Sequence, residues 1–314
     1  MLNSRDLLVS AATGDDAGVY RLDAHRALVQ TTDFFTPIVD NPVSYGQIAA
    51  ANALSDVYAM GGRPLTALAI VGMPADRVPV AVVNRILRAG AAKIKEAKCV
   101  LLGGHTIRSP EPIYGFAFTG LVSARRMLTI ANARVGDLLV LTKPLGTGIV
   151  TTAIKRDSVG RSLEWKSIRS MTHLNTVGPE LAEKHLSRAA VDVTGFGLLG
   201  HLFAMCRASR VGARIYTSKV PALSNKVFDL ISKGFIPGGT RDNLAYANEF
   251  TDWGDVTASQ RVLLADAQTS GGLLFSIPPK NLKSALKYLS RNVLCAALIG
   301  KVVRSNEPRI QVSA

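Results

Sequence analysis

The sequence is poor in cysteine, aromatic residues and acidic residues, and it has no long hydrophobic run. Its 314 residues include three cysteines, Cys99, Cys206 and Cys295, which are far apart and form no C-x-x-C motif. This argues against a disulfide framework or a structural zinc site and favours a reducing compartment. No segment reaches the roughly 18 consecutive apolar residues that a membrane helix needs. The N-terminus lacks the basic-then-apolar pattern of a secretory signal. We therefore expect a cytoplasmic protein without a membrane partner.

Acidic residues are outnumbered, 23 against 37 lysines and arginines, which gives a formal net charge of +14. Such an excess can indicate an anionic partner. The basic residues are scattered along helical patterns, however, and no aromatic-interleaved basic motif occurs. We interpret them as solvated helix faces and expect no direct nucleic-acid binding. A scaffold that associates with RNA remains an alternative, and only the charge suggests it.

The hydrophobic content of 47% is ample for a core and, at this length, favours two domains. Strand and helix patterns alternate in both halves, which predicts α/β or α+β layers. The composition shifts near Ser123, where SARRML leads into a turn. We therefore predict an N-terminal domain of residues 1–122 and a C-terminal domain of residues 123–314.

The stretch from Thr31 to Pro74 organises the first half. A β-branched run ends on Asp33, and an Ala-rich helix follows with Ser44 as its predicted N-cap and a glycine pair, Gly61-Gly62, at its end. Within the helix Asn52 and Asp56 are four residues apart and share one face. A carboxylate and an amide on an apolar face are costly to bury unpaired, so a metal ion or polar ligand is one expected partner.

Three glycine-containing segments are further candidates. Gly14 permits a tight turn before Asp15 and Asp16, although a plain surface turn is as consistent. The apolar pattern of residues 99–102 predicts a short buried strand. The Gly103-Gly104 pair after it either lets backbone N–H groups approach a ligand phosphate or forms a plain turn with His105 on the surface. Spacing alone favours the plain turn. The glycine-rich turn 144–148 opens a helix, a position that suits anions, but it is not a Walker A loop.

The second half repeats the pattern of an acid that ends a strand. Asp192 precedes the glycine-rich TGFG and a predicted helix, so it is either a ligand or a cap of that helix. Residues 234–255 are predicted to be a long, glycine-rich loop. Asp16, Asp33, Asp56 and Asp192 form one acidic site if the fold brings them together, which spacing alone does not show.

Eight motifs in this order resemble selenophosphate synthetase (selenide, water dikinase), in the superfamily of aminoimidazole ribonucleotide synthetase. They are GDDAGVY at Gly14, TTDFFTPIVDNP at Thr31, NALSDVYAMGG at Asn52, GGHTI at Gly103, LTKPLGTG at Leu141, DVTGFGLLGH at Asp192, PGGT at Pro237 and QTSGG at Gln268. They run from near the first residue to near the last. Each alone is weak, but together they are specific.

The resemblance implies an N-terminal α/β domain whose sheet joins the partner's sheet in a homodimer, and a C-terminal α+β domain. It also implies that ATP, selenide and water become selenophosphate, AMP and phosphate for selenocysteine synthesis. By position, Mg²⁺ would be held by Asp16, Asp56 and Asp192. The positions matching ATP contacts are Thr13, Gly14, Asp15, Asp33, Asn52, Gly103, Gly104 and His105, of which the last three would reach nucleotide in the other subunit. Carboxylates suit Mg²⁺, which is a hard cation that prefers oxygen.

One departure from the family concerns the catalytic residues. The family carries an N-terminal glycine-rich segment with a reactive cysteine or selenocysteine and, three residues later, an essential lysine. No residue of this chain matches either, and Cys99 is interpreted as a buried structural thiol. We interpret the chain as N-terminally truncated and expect it to bind Mg–ATP but to make selenophosphate inefficiently. The alternative is a catalytically incomplete, ATP-binding regulatory subunit.

Overall fold

A computed structural model describes residues 4–74 and 76–314. The chain divides into two compact units. The first contains the described residues up to Met127 together with Met171–Pro179, and the second contains Leu128–Ser170 and Glu180–Ala314. None of the helices in the described ranges is long and apolar enough to cross a membrane.

The first unit is built on one mixed sheet with helices on one face. Its elements are β1 (Leu7–Val9), β2 (Gly18–Arg21), β3 (Arg26–Phe35), α1 (Pro42–Ala59), β4 (Arg63–Met73), α2 (Val80–Glu96), β5 (Val100–Arg108) and β6 (Ile113–Ser123). The strand order is β1-β2-β3-β6-β4-β5, and the β4–β5 pair is parallel. The alternating side chains Tyr114, Phe116 and Phe118 of β6 are buried on the α1 side of the sheet.

Helix α1 begins earlier than the sequence predicts. Its N-cap is Asn41, whose side-chain oxygen accepts from the backbone N–H groups of Val43 and Ser44 at 2.9 and 3.1 Å. The predicted cap Ser44 is therefore wrong, because Pro42 occupies the first helical turn, where a missing N–H is harmless. The predicted end is confirmed, since Gly61 adopts a φ of +73° just after the helix.

Strand β5 corrects the prediction of a short buried strand followed by a turn. The strand passes through Gly103 and Gly104 to Arg108, and every residue in it is exposed. Gly104 lies opposite Ala69, and a Cβ at Gly104 would lie 2.1 Å from the Ala69 carbonyl oxygen. Glycine is therefore required here by close strand packing.

The second unit contains a seven-stranded mixed sheet. The elements after β6 are β7 (Leu138–Leu141), α3 (Thr147–Ile154), α4 (Arg161–Thr172), α5 (Gly178–Glu183), β8 (Ala189–Asp192), α6 (Gly197–Ser209), β9 (Gly212–Tyr216), α7 (Lys226–Ser232), α8 (Gly238–Ala247), β10 (Thr251–Trp253), α9 (Ala258–Ala265), β11 (Leu273–Ile277), α10 (Leu282–Asn292), β12 (Ala297–Val303) and β13 (Ile310–Ser313). The strand order in the sheet is β10-β13-β9-β12-β7-β11-β8. Its core combines sheet residues such as Leu141 and Val191 with helical residues such as Leu199 and Leu263.

The predicted loop 234–255 is wrong, because it contains α8 and β10. Gly238 and Gly239 lie in the first turn of α8 rather than in a loop, and Thr240 beside them is fully buried. Strand β10 pairs with β13 in parallel, a partner almost 60 residues away along the chain. The glycine content of the segment therefore reflects a helix start and not an unstructured loop.

Candidate functional site

The polar face of α1 finds its partners on β3. Thr31 and Asp33 are two residues apart on the strand and so point to the same side of the sheet. The hydroxyl of Thr31 donates to the Asp56 carboxylate at 2.5 Å. The amide of Asn52 donates to the Asp33 carboxylate. The structure thus confirms that Asn52 and Asp56 share a helix face, and it adds Thr31, which the sequence analysis did not single out.

Burial dominates the electrostatics of Asp33. Removal from water raises the pKa of its carboxyl, and hydrogen bonds from the Phe34 N–H and the Asn52 amide oppose that shift. The strand does not end at Asp33, as predicted, but continues to Phe35. Asp33 is therefore not a turn cap, and Asn52 is its side-chain partner.

The Gly14 turn lies next to this part of β3. Gly14 has a φ of +72°, which confirms the predicted tight turn. Asp15 and Asp16 follow it, and Ala17 separates them from β2, whose first residue Gly18 pairs with Gln30 of β3. The antiparallel register therefore carries both acids alongside the Thr31–Asp33 end of that strand. Thr13, on the outer side of the turn, is exposed, and its hydroxyl donates to the Ser10 carbonyl at 2.7 Å.

The residues Gly103, Gly104 and His105 do not join this group within the unit. They lie on β5 at the edge of the sheet, three strands from β3, a separation of roughly 14 Å at the usual strand spacing. His105 is exposed, as the plain interpretation expected. Within one chain, the first unit thus separates the two sets of predicted ATP-contacting residues.

In the second unit, Asp192 is the buried last residue of β8. The following helix α6 has Phe196 at its N-cap, and the Phe196 side chain makes no capping bond, so Asp192 does not occupy the N-cap position itself. Thr194 donates its N–H to Nε2 of His201 on α6 at 3.1 Å. Burial lowers the pKa of His201 to about 4, so its ring is neutral near pH 7 with its proton on Nδ1. His201 is the last letter of the DVTGFGLLGH motif, but its spacing alone carried no signal.

The turn 144–148 at the start of α3 was predicted to suit an anion. Its backbone N–H groups already have hydrogen-bond acceptors within the chain. The Gln268 side-chain oxygen accepts from the N–H groups of Gly146 and Thr147, at 3.1 and 3.2 Å. The Asp266 carboxylate accepts from those of Gly148 and Ile149, at 3.1 and 3.4 Å. The four free donors of the first turn of α3 therefore have internal acceptors, and the predicted anion site is not open.

Asp266 is fully buried in this arrangement. Burial raises the pKa of its carboxyl to about 7, against the effect of hydrogen bonds from Thr240, Gln268 and the start of α3. Nearby, the ammonium group of the buried Lys143 donates to the Ser270 carbonyl at 2.8 Å. The sequence analysis found the QTSGG motif but did not identify Asp266 or Gln268 as structural partners of α3.

Comparisons with known proteins bear on the family and the fold of the chain. The family model "AIR synthase related protein, N-terminal domain" matches residues 14–122, and the corresponding C-terminal domain model matches residues 134–313. The "Selenide, water dikinase" of Myxococcus xanthus is 46% identical over 308 residues, which cover 97% of this chain and 87% of that protein.

Solved structures extend the likeness of the fold. Thiamine-monophosphate kinase from Stenotrophomonas maltophilia gives a TM-score of 0.70 at 20% identity, covering 98% of this chain and 91% of that one. Hydrogenase maturation protein HypE, solved in complex with ATP, gives 0.68 at 18% identity, covering 99% and 88%. The two AIR-synthase-type domains, together with 46% identity over nearly the whole chain, identify the family. The chain belongs to the family of selenide, water dikinases, which are phosphotransferases.

Proposed function

We propose that this chain catalyses the ATP-dependent synthesis of selenophosphate from selenide and water, with AMP and phosphate as the other products. The observation that carries the proposal is the 46% identity to a selenide, water dikinase over 97% of the chain. ATP as the substrate is further supported by the neighbour of similar fold that was solved with ATP.

We assign Asp16, Asp56 and Asp192 to Mg²⁺ binding. All three are carboxylates, the oxygen ligands that Mg²⁺ prefers. Asp56 also has a supporting group of the kind that orients metal ligands, because the Thr31 hydroxyl holds one of its oxygens at 2.5 Å. When bound, Mg²⁺ supplies positive charge that offsets the repulsion between carboxylates and phosphates and stabilises charge on the transferred phosphoryl group.

The remaining assigned residues bind and orient ATP. Thr13 and Gly14 are exposed and Asp15 is half-buried in a turn that leads into β2 beside β3, so the turn is accessible to a ligand. Asp33 has its side-chain hydrogen bond with Asn52 in place before any ligand arrives. This pre-organisation is what a binding site needs, since a side chain held by a neighbour loses less entropy on binding.

We further propose that the chain is a homodimer that pairs through the sheet of the first unit. The open face and edge of that sheet expose Leu68 (48%), Val100 (58%) and Leu102 (64%). A groove of about 450 Å³ runs along the same face, with Leu68 and Leu102 among its lining residues. A long, apolar edge strand is a template for pairing with another chain. A second copy would cover it and would bring Gly103–His105 to the partner.

Sedimentation velocity tests the dimer. The double variant Leu68→Glu with Leu102→Glu places two charges on the exposed face and is expected to sediment as a monomer, whereas the unaltered chain sediments at twice the chain's mass. Leu22→Glu is the matched control, because Leu22 is equally exposed (49%) but lies in the turn between β2 and β3. A monomeric unaltered chain, or a dimer that survives both glutamates, would refute the proposal.

Phosphorus NMR of the products tests the reaction. With ATP, Mg²⁺ and selenide under reducing conditions, we expect selenophosphate, AMP and phosphate in equal amounts, whatever the rate. Omission of selenide should abolish the selenophosphate signal. ADP as the nucleotide product would contradict the proposal. Intact Mg–ATP binding without any selenide-dependent product would instead support the ATP-binding regulatory subunit.

A further inference from the structure

The strand that carries Asp192, β8, is buried and has a hydrogen-bonded strand neighbour on one side. Among the described residues, the only strand that pairs with β8 is β11, because β8 lies at the edge of its sheet. Leu273 of β11 is the register partner of Asp192, and the Val193 N–H donates to the Gly272 carbonyl at 2.9 Å. The position of the Asp192 backbone is therefore set by β11 and by the residues 266–272 that lead into it.

Gln268 lies at the centre of that segment, and its side chain is almost fully buried. Its oxygen accepts from the N–H groups of Gly146 and Thr147 and from the Thr147 hydroxyl, at 3.0–3.2 Å. Its amide nitrogen donates to the backbone oxygen and to the carboxylate of Asp266, both at 2.8 Å. An amide with both ends satisfied in this way has a single favourable orientation.

The backbone of the same segment holds the turn after Asp192. The Gln268 N–H donates to the carbonyl of Thr194 at 3.0 Å. The next residue, Thr269, donates its N–H to the Thr147 hydroxyl at 3.1 Å. Further along, a Cβ at Gly271 would lie 1.9 Å from the Val193 carbonyl oxygen, so the two backbones are in close contact there. A shift of the segment away from α3 would therefore move the Asp192–Thr194 turn.

We propose that Gln268 is a positioning residue for Asp192. It anchors the segment before β11 to the start of α3 and, through its own N–H, sets the turn that presents the Asp192 carboxylate to the metal. The inference rests on the proposed role of Asp192 as a Mg²⁺ ligand. It gives the QTSGG motif a function that a helix cap alone does not imply.

Two pairs of variants separate positioning from stability. Gln268→Met keeps the length of the side chain and removes its hydrogen bonds. Gln260→Met is the matched control, because Gln260 is also a helix-capping glutamine of the second unit, with hydrogen bonds to Thr257 and Thr217 instead. Thr147→Val removes the hydroxyl that links Gln268 and Thr269, and Thr147→Ser restores it.

The experiment measures Mn²⁺ binding in the presence of a non-hydrolysable ATP analogue. The electron paramagnetic resonance signal of free Mn²⁺ reports how much of the ion remains unbound. Mn²⁺ replaces Mg²⁺ because both take carboxylate and phosphate oxygens. We expect Gln268→Met to weaken Mn²⁺ binding by about tenfold or more, the usual effect of losing a supporting group. Thr147→Val should weaken it severalfold, whereas Thr147→Ser and Gln260→Met should stay within twofold of the unaltered chain.

The unfolding midpoint of each variant, measured by tryptophan fluorescence, completes the experiment. If Gln268→Met and Thr147→Val lower the midpoint as Gln260→Met does but bind Mn²⁺ normally, Gln268 is a helix cap only and the inference is overturned. Should Gln268→Met fail to fold, the Thr147 pair decides by the same criterion. Absence of Mn²⁺ binding in the unaltered chain would instead overturn the metal site itself, and the inference with it.

Discussion

Asp266→Asn is expected to make the free energy of unfolding of the second unit less dependent on pH. Folding raises the pKa of this buried carboxyl from 3.8 to about 7, so the folded chain holds the proton more tightly than the unfolded chain does. The stability that the protonated Asp266 carboxyl contributes is therefore complete below pH 3.8 and is lost as the pH rises through about 7. At 1.36 kcal/mol per pKa unit, the loss between pH 5 and pH 8 amounts to about 2.5 kcal/mol.

Asparagine is a suitable replacement because it resembles the protonated acid. Its oxygen can accept from the Gly148 N–H and the Gln268 amide, as the Asp266 carboxylate does. Its NH₂ group would face the Thr240 hydroxyl, which now donates to Asp266 at 2.9 Å and would turn to accept. The variant should therefore fold, and its stability should lack the titration of residue 266.

Urea unfolding of both chains at several pH values between 5 and 8 measures the difference. Both tryptophans, Trp165 and Trp253, belong to the second unit, so their fluorescence reports its unfolding. Titrations elsewhere are common to both chains and cancel. The variant should gain about 2.5 kcal/mol on the unaltered chain from pH 5 to pH 8. Asp229→Asn, at an exposed acid of α7, should show no such trend. A difference that stays constant with pH for Asp266→Asn would refute the reasoning.

Three further outcomes are expected. Asn52→Ala removes the side-chain partner of the half-buried Asp33 and should lower the free energy of unfolding by about 1–3 kcal/mol, measured by circular dichroism in urea. Gly104→Ala should separate β5 from β4, because its Cβ would lie 2.1 Å from the Ala69 oxygen, and sedimentation should then show loss of the dimer. All three cysteines should react slowly with a disulfide reagent at pH 8 and rapidly in urea. Burial raises the pKa of Cys99 to about 11 and the pKa values of Cys206 and Cys295 to about 12, so little thiolate forms; fast reaction of the folded chain would contradict this.

Elements with strong local signals were predictable from the sequence. The apolar residues of 80–96 recur with the 3.6-residue period of a helix, and α2 occupies this segment; the short apolar runs Leu138–Leu141 and Leu273–Ile277 form the strands β7 and β11. Local chemistry also placed the end of α1 at Gly61. In each case the information lies within a few residues of the element, so no tertiary contact was needed to find it.

Features that depend on distant partners were not predictable. Strand β5 is exposed along its length, so it shows no alternation of buried and exposed positions. The caps of α3 come from Asp266 and Gln268, more than 110 residues later. The segment Met171–Pro179 belongs to the first unit, where Asn175 donates to Ser55 across 120 residues of sequence. None of these pairings can be recognised from the hydrophobic pattern of the neighbouring residues.

The candidate site also has one part that the local sequence predicted and another part that depends on distant partners. The spacing of Asn52 and Asp56 showed that both lie on one helix face, and the cost of burying them predicted a partner. The identity of that partner, Thr31 and Asp33 of β3, required the sheet to be packed on α1. Pattern alone thus indicated candidate residues for the site, whereas the fold decided which of them are already paired within the chain.

Calorimetric titration with a non-hydrolysable ATP analogue tests whether these carboxylates hold a metal–nucleotide complex. We expect binding that requires Mg²⁺ and that weakens about tenfold or more in Asp56→Asn and in Asp192→Asn. Asp40→Asn, at an exposed acid of the first unit, should bind as the unaltered chain does. Binding that persists without Mg²⁺, or that neither variant changes, would contradict the assignment of these carboxylates to a metal–nucleotide site.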